Sequence, residues 1–272
     1  MDLPLSSHVV GEGPPLLLVH GGAEDADLLA PQAAAFAARG RRVVTYDRRG
    51  TGASTRADWP EGGVERHADD AAALLRALDA APATVLGFSS GGVVALALAA
   101  RHPDVVAEAI AWEPAAVGML PDGAALHAGL LAPIEAHLAA HPDDWQGAYA
   151  VMLEVVSAGA ADLEAPAVRR MAVNAEAALR DDARILTAHA FAPGELPADR
   201  VTIAVGAQPS PLHAAIAERL AAGLGTVPLV VAGADDHEVY LQRPEVLAVA
   251  LAARWPGPVA AGGDGRGVGS AD

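Results

Sequence analysis

The feature that most constrains the fold is a regular alternation of short apolar runs and helix-like segments through the first 112 residues. The apolar runs have no polar alternation, which is typical of strands buried on both faces of a sheet. They lie at residues 15–19, 42–47, 84–88 and 106–112. Helix-like segments separate them, at residues 26–39, 68–78 and 93–101. This β-α-β-α order predicts a parallel sheet covered by helices.

The pattern changes in the middle of the chain. Residues 114–197 contain helix-like segments without a convincing strand, and strand-like runs return at 201–205 and 227–232. We therefore expect an α/β fold with a mostly parallel, doubly wound sheet. Its core comprises residues 1–113 and 198–256, and a helical lid at 114–197 is inserted before the penultimate strand.

The glycine-rich segment 257–272 has no apolar periodicity, which predicts a disordered tail that is dispensable for folding. The net charge of −16 disfavours nucleic acid and anionic membranes as partners. No apolar stretch reaches the roughly 18 residues of a membrane helix, and the first residues do not resemble a secretory signal. We expect a cytoplasmic protein that acts on a small molecule, and the sequence does not fix its oligomeric state.

Residue types that are missing exclude several chemistries. All 18 basic residues are arginine, so there is no lysine for a Schiff base or for a Walker-type phosphate site. Cysteine is absent, which excludes disulfides and thiol catalysis. High alanine, glycine and arginine content without lysine suggests a GC-rich bacterial genome. No cofactor is expected.

The sequence Gly87-Phe88-Ser89-Ser90-Gly91 fits the pattern G-x-S-x-G between a predicted strand and a predicted helix. This is the setting of a nucleophile elbow, in which the central serine occupies a strained turn and presents its hydroxyl. Ser89 is therefore the candidate nucleophile, and Ser90 is the lesser candidate. The Ser90 backbone N–H follows the nucleophile and is a candidate oxyanion donor. An ordinary glycine turn is the alternative interpretation.

A second glycine turn, His20-Gly21-Gly22-Ala23, follows the strand-like run 15–19. Backbone N–H groups of such a turn point into the space above the sheet. Gly22 is the preferred second oxyanion donor, with Ala23 as a near alternative. His20 is expected to be structural and to hold the loop by hydrogen bonds.

His237 is the candidate general base, because its loop follows the run 227–232 and so lies at the same sheet end as Ser89. For seven other histidines, in or at the ends of predicted helices, we expect solvent or capping contacts. They are His67, His102, His127, His137, His141, His189 and His213. No histidine pair has the H-E-x-x-H spacing or another recognisable metal pattern, so a metal site is not expected.

Four segments in order, LLLVHGG, VVTYDRRGTGAST, VLGFSSGG and VVAGADDHEVYLQRPE, resemble the α/β-hydrolase superfamily. The resemblance covers most of residues 9–254 and is weakest in the lid. It implies an acyl-enzyme serine at Ser89 and a catalytic histidine at His237. The loop from Asp47 to Gly52 matches one that is usually structural in that family, so no catalytic role is assigned to Asp47.

The expected acid is missing from its usual place after the strand that follows the lid. That strand ends as GAQPSP, with no carboxylate before Glu218. Glu113 ends the preceding strand, and some family members resemble this arrangement. We favour Glu113 as the acid, beside two alternatives, namely no acid at all or another carboxylate. The interpretation predicts a Glu113 carboxylate about 2.6–3.2 Å from His237 Nδ1.

The resulting hypothesis is a lidded serine hydrolase of the esterase or lactonase type, acting on a small or medium uncharged ester, thioester or lactone. An acyltransferase, cyclase or perhydrolase using the same site, and a ligand-binding pseudoenzyme, are alternatives. A serine nucleophile argues against dehalogenase or epoxide hydrolase chemistry, which needs a carboxylate. Apolar lid residues suggest an apolar pocket, although their spacing is equally typical of packing. They are Met119, Leu120, Leu130, Met152 and Leu153.

Overall fold

A computed structural model describes residues 4–157, 159 and 161–255. Its seven strands form one sheet in the order β1-β3-β2-β4-β5-β6-β7, in which β1 is antiparallel to β3 and all other pairs are parallel. The strands are β1 Ser7–Val10, β2 Pro15–Val19, β3 Arg42–Tyr46, β4 Ala83–Phe88, β5 Val106–Trp112, β6 Val201–Gly206 and β7 Leu229–Val231. The predicted α/β fold with a mostly parallel sheet is confirmed.

Ten α-helices are found in the described residues. They are α1 Ala30–Ala37, α2 Gly63–Ala77, α3 Ser90–Arg101, α4 Gly123–Ala140, α5 Trp145–Val156, α6 Pro166–Met171, α7 Ala175–Ala177, α8 Pro211–Gly223, α9 Val239–Gln242 and α10 Pro244–Ala252. A π-helix, Ala178–Leu186, continues directly from α7. Within the described residues, no helix has the length and apolar character needed to cross a membrane.

The two faces of the sheet bury separate apolar clusters, because successive side chains of a strand point in opposite directions. Leu17 and Val19 of β2 pack on the face covered by α2, α3 and α8, whereas Leu16 and Leu18 pack on the face covered by α1, α9 and α10. All six residues of β4 are buried. This central strand therefore holds the residues that follow it in a fixed position.

The chain between β5 and β6 forms helices α4 to α7 and the π-helix. These helices bury an apolar cluster of their own, which includes Ile134, Tyr149 and Leu179 and also contacts Ala23. The predicted limits of a lid at 114–197 stay a prediction. Met119, Leu120 and Leu130 pack against the main core, and Met152 and Leu153 pack within the helical cluster. Their contacts are therefore packing contacts.

Several predicted boundaries differ from the structure, including the start of α2, which lies at Gly63 rather than at residue 68. The first helix begins at Ala30 rather than at residue 26, because the Asp47 side chain accepts a hydrogen bond from Ala26 N and holds the preceding segment in turns. The last strand is shortened to Leu229–Val231, with Pro228, which has no backbone N–H, just outside it. The predicted tail, 257–272, lies outside the described residues.

Candidate active site

Ser89 lies between the last residue of β4 and the first residue of α3, with φ 52° and ψ −119°. A non-glycine residue with positive φ is strained and persists only where its surroundings hold it. Neighbouring glycines permit this turn. A Cβ at Gly87 would lie 2.1 Å from Gly91 O, and one at Gly91 would lie 2.3 Å from His20 O. The serine is therefore held on a sharp corner, as the sequence pattern predicted.

The turn that follows β2 lies against this corner. Gly21 N donates a hydrogen bond to the Glu24 carboxylate, and Ala23 has φ 62°. Within the described residues, Gly22 N–H has no hydrogen-bond acceptor. His20 is buried, its Nε2 accepts a hydrogen bond from Arg48 N, and its Nδ1 lies 2.8 Å from Gly21 O. These contacts agree with the structural role expected for His20.

Glu113 follows β5 directly, and its carboxylate contacts His237. Glu113 Oε2 lies 2.8 Å from His237 Nδ1, and Glu113 Oε1 accepts a hydrogen bond from Gly206 N at 3.0 Å. The distance to His237 falls within the predicted range. Burial alone would raise the pKa of Glu113, but the hydrogen bonds from His237 and Gly206 outweigh burial and lower it. Glu113 is therefore an anion that orients the imidazole.

The backbone at Glu113 is also strained, with φ 38°. Glu113 N donates to Ala204 O of the next strand at 2.8 Å, which fixes the residue between β5 and β6. The adjacent Trp112 donates its indole N–H to His237 O at 3.0 Å. Trp112 and Glu113, which are consecutive residues at the end of β5, thus hold the backbone and the ring of His237.

One ring nitrogen of His237 makes no hydrogen bond within the described residues. Its side chain is 28% exposed, whereas that of Glu113 is 1% exposed. Within the described part of the chain, neither His237 Nε2 nor Ser89 Oγ has a hydrogen-bond partner. A contact between these two atoms stays a prediction for the substrate-bound protein, in which catalytic hydrogen bonds tighten.

His213 was not predicted as a site residue, but the structure brings it to His237. The two rings are stacked, with centroids 4.2 Å apart and planes 7° apart. His213 Nδ1 lies 3.5 Å from Glu113 Oε2 and 3.1 Å from Ser210 Oγ. His213 makes the expected capping contact, through Ser210 at the start of α8, but its stack on His237 was not expected. Its signal in the sequence is its position, in the first turn of the helix that follows the strand where an acid was sought.

Glu113, His213 and His237 offer ligand atoms that all lie within 4.8 Å of one another. A metal bound to an imidazole nitrogen lies in the plane of that ring. The two rings are nearly parallel, so one ion does not lie in both planes. This stacked arrangement suits an acid–base pair with a packed neighbour better than a metal centre.

A second buried charged cluster lies against the glycine turn that follows β2. Arg48 Nη2 donates to Asp182 Oδ1 at 2.6 Å and to Gly21 O at 3.1 Å. His67 Nε2 lies 2.6 Å from Asp181 Oδ2, and both side chains are almost fully buried. The expectation of a solvent or capping contact for His67 is wrong, because the π-helix brings Asp181 against it.

Comparison with known proteins identifies the family. Residues 14–151 match the family model described as alpha/beta hydrolase fold. The chain is 47% identical over 113 residues to the uncharacterized hydrolase YraK of Bacillus subtilis, a match that covers 41% of each protein. It is 37% identical over 101 residues to the putative non-heme bromoperoxidase BpoC of Mycobacterium tuberculosis, covering 37% of the chain and 38% of BpoC. The matched segments therefore span less than half the length of these relatives.

Solved structures show the same fold over nearly the whole chain. The crystal structure of BpoC from Mycobacterium tuberculosis H37Rv matches with a TM-score of 0.59 and 20% identity, covering 92% of this chain and 95% of that one. Est816, described as an N-acyl homoserine lactone degrading enzyme, matches with a TM-score of 0.67 and 22% identity, covering 92% and 96%. The chain therefore belongs to the alpha/beta hydrolase fold family, and its relatives indicate a hydrolase.

Proposed function

We propose that the protein is a serine hydrolase that cleaves a small or medium uncharged ester, thioester or lactone through an acyl-enzyme on Ser89. The observation that carries this proposal is the pair formed by His237 and Glu113, 2.8 Å apart, at the sheet edge where β4 ends in the strained Ser89. A base oriented by a buried anion, at the same sheet end as a partly buried serine on a strained turn, is the arrangement that nucleophilic catalysis needs.

The proposed reaction has two halves. His237 Nε2 takes the proton of Ser89 as Oγ attacks the carbonyl carbon, and the backbone N–H groups of Gly22 and Ser90 bind the resulting oxyanion. The same proton then passes to the departing alcohol or thiol, or to the ring oxygen of an opened lactone. Water, deprotonated by His237, releases the acid and restores Ser89.

The charge balance of the site supports this assignment. Glu113 is an anion with a lowered pKa, so it stabilises the imidazolium that forms on His237 during each half-reaction. Strained backbone conformations at Ser89 and Glu113 support a functional site, and the hydrogen-bonded pair of His237 and Glu113 favours an active enzyme over a ligand-binding pseudoenzyme. The apolar cluster that joins Ile134, Tyr149 and Leu179 to Ala23 supports the helices of 114–197 as a cover over the turn that follows β2.

The test is a panel of p-nitrophenyl esters, thioesters and lactones of graded chain length, assayed with the wild type and two serine variants. N-acyl homoserine lactones belong in the panel because Est816 is described as degrading them. Ser89→Ala abolishes hydrolysis, whereas Ser90→Ala retains much of it because the backbone N–H remains. Equal turnover by the wild type and Ser89→Ala would overturn the assignment.

Perhydrolysis is a second candidate, favoured by the similarity to the protein named a putative non-heme bromoperoxidase. Hydrogen peroxide would replace water as the second nucleophile, and the acyl group would leave as a peracid. The peracid oxidises bromide to hypobromite and is itself reduced to the carboxylic acid. Bromination that requires acetate, peroxide and Ser89 would establish this activity, and its absence beside ester hydrolysis would exclude it.

A further inference from the structure

His213 is the closest neighbour of the proposed acid–base pair that has no assigned role. We propose that His213 is a positioning residue, which holds the plane of the His237 ring by stacking while leaving the Glu113 carboxylate to His237. This inference rests on the proposed function, because it assigns His213 to the same reaction.

The two rings lie in nearly parallel planes, only 7° apart. His213 therefore blocks tilting of the His237 ring toward it, which helps to keep His237 Nδ1 directed at Glu113. His237 belongs to a loop before α9 and is partly exposed, so its ring needs lateral support. His213 lies in helix α8, which follows β6. Rigid elements position catalytic side chains more accurately than loops do.

A proton on His213 Nδ1 would disturb the hydrogen bond between His237 and Glu113. If His213 carried that proton, it would compete with His237 for Glu113 Oε2, which lies 3.5 Å away. Ser210 prevents this competition. Ser210 Oγ accepts the helix-capping bond from His213 N at 3.2 Å, and its hydroxyl proton is then free to be donated to His213 Nδ1 at 3.1 Å. We infer that His213 carries its proton on Nε2.

The charge of the stacked His213 ring also suits this role. Burial, and then the neighbouring His237, lower the pKa of His213 to about 4. A neutral ring packs against His237 in both of its protonation states without the repulsion that a second imidazolium would bring. The surroundings of His213 thus suit a support better than a second base.

Purified full-length variants test the proposal by steady-state kinetics and by proton NMR of the hydrogen bond between His237 and Glu113. That resonance is assigned by its loss in Glu113→Gln. His213→Ala, which removes the stack, is expected to lower kcat by about tenfold to 10²-fold with KM nearly unchanged, and to broaden the resonance. His213→Phe keeps the aromatic stack, so it is expected to restore most of the kcat and most of the sharpness of the resonance.

Ser210→Ala supplies the second readout. It frees His213 Nδ1 to take a proton, so kcat is expected to fall in the wild-type background but not in the His213→Phe background. Wild-type kcat and an unchanged resonance in His213→Ala would overturn the proposal, as would a failure of His213→Phe to restore them. If the wild type hydrolyses nothing in the panel, the proposed function fails. The NMR comparison still decides whether His213 positions His237.

Discussion

Two histidine–carboxylate pairs with similar N···O distances lie in different environments in this protein. The pair of His237 and Glu113 lies at the sheet edge, 2.8 Å apart, with the histidine side chain 28% exposed. The pair of His67 and Asp181 is 2.6 Å apart and joins α2 to the π-helix, with its histidine side chain only 4% exposed. The His237 imidazole is partly exposed to solvent, whereas the His67 imidazole is enclosed.

The partners of the two carboxylates sharpen this difference. Glu113 accepts hydrogen bonds from His237 and one backbone N–H, and a second imidazole, His213, lies 3.5 Å from its Oε2. Asp181 also accepts a bond from Trp59 Nε1 and lies near Arg48, which holds Asp182. A short hydrogen bond between a histidine and a carboxylate therefore does not by itself make a catalytic pair. Two features distinguish the His237 pair from the His67 pair. The His237 side chain is more exposed, and its pair lies at the sheet end where β4 leads into Ser89.

The largest expected effect comes from breaking the exposed pair. Glu113→Gln places an amide N–H against His237 Nδ1 and favours the tautomer protonated on Nε2, which does not accept the Ser89 proton. We expect kcat to fall by about 10⁴-fold. Steady-state kinetics beside urea unfolding measure the change, and the fold is expected to be retained. A variant with near-normal turnover would show that Ser89 and His237 act without this acid.

The enclosed pair is expected to respond in the opposite way. Asp181→Asn removes one of the two carboxylates that face the buried Arg48 guanidinium, and breaking such a network costs about 3–5 kcal/mol of the free energy of unfolding. The kcat of the folded protein should stay close to the wild-type value at temperatures well below the melting transition.

A matched control is available on the surface. His102 and Asp69 are 2.7 Å apart, but their side chains are 22% and 45% exposed. Asp69→Asn should cost less than about 1 kcal/mol in the same urea titration. Equal losses of stability in Asp181→Asn and Asp69→Asn would contradict the distinction between enclosed and exposed pairs.

Glu24 is a buried carboxyl that makes no ion pair within the described residues. It accepts hydrogen bonds from Gly21 N and Tyr240 O–H, and burial raises its pKa from 4.5 to about 7. Because the folded protein holds this proton more tightly than the unfolded chain does, the contribution to stability is complete below pH 4.5. It is lost as the pH rises to about 7. The loss amounts to about 3 kcal/mol.

Glu24→Gln mimics the protonated carboxyl and should lack this decline. Urea unfolding of both proteins between pH 4.5 and pH 8 measures it, and the exposed Glu12→Gln serves as the control. Parallel stability curves for the wild type and Glu24→Gln would contradict the raised pKa.

The sequence was sufficient to predict the parts of the site that depend on local pattern. Continuous apolar runs predicted the inner strands, and the glycines around Ser89 predicted the corner because close packing there leaves no room for a Cβ. Glu113 was found by asking which carboxylate ends a strand adjacent to β6. That pairing is observed, with Trp112 opposite Ala204.

The remaining contacts depend on distances that no local pattern encodes. Asp181 meets His67 across 114 positions of the chain, and the stack of His213 on His237 depends on how α8 leaves β6. Both histidines have helical sequence contexts typical of surface positions. Only the packing of the helices reveals that one is enclosed and that the other supports the proposed base.

The most direct test of the central claim is covalent labelling with a fluorophosphonate probe, followed by peptide mapping by mass spectrometry. Phosphonylation requires a serine activated by its base, so it reports on the site without knowledge of the substrate. We predict one adduct per chain, on Ser89, absent from Ser89→Ala and formed far more slowly in Glu113→Gln. An adduct on another residue, or equal labelling of the wild type and Ser89→Ala, would contradict the account.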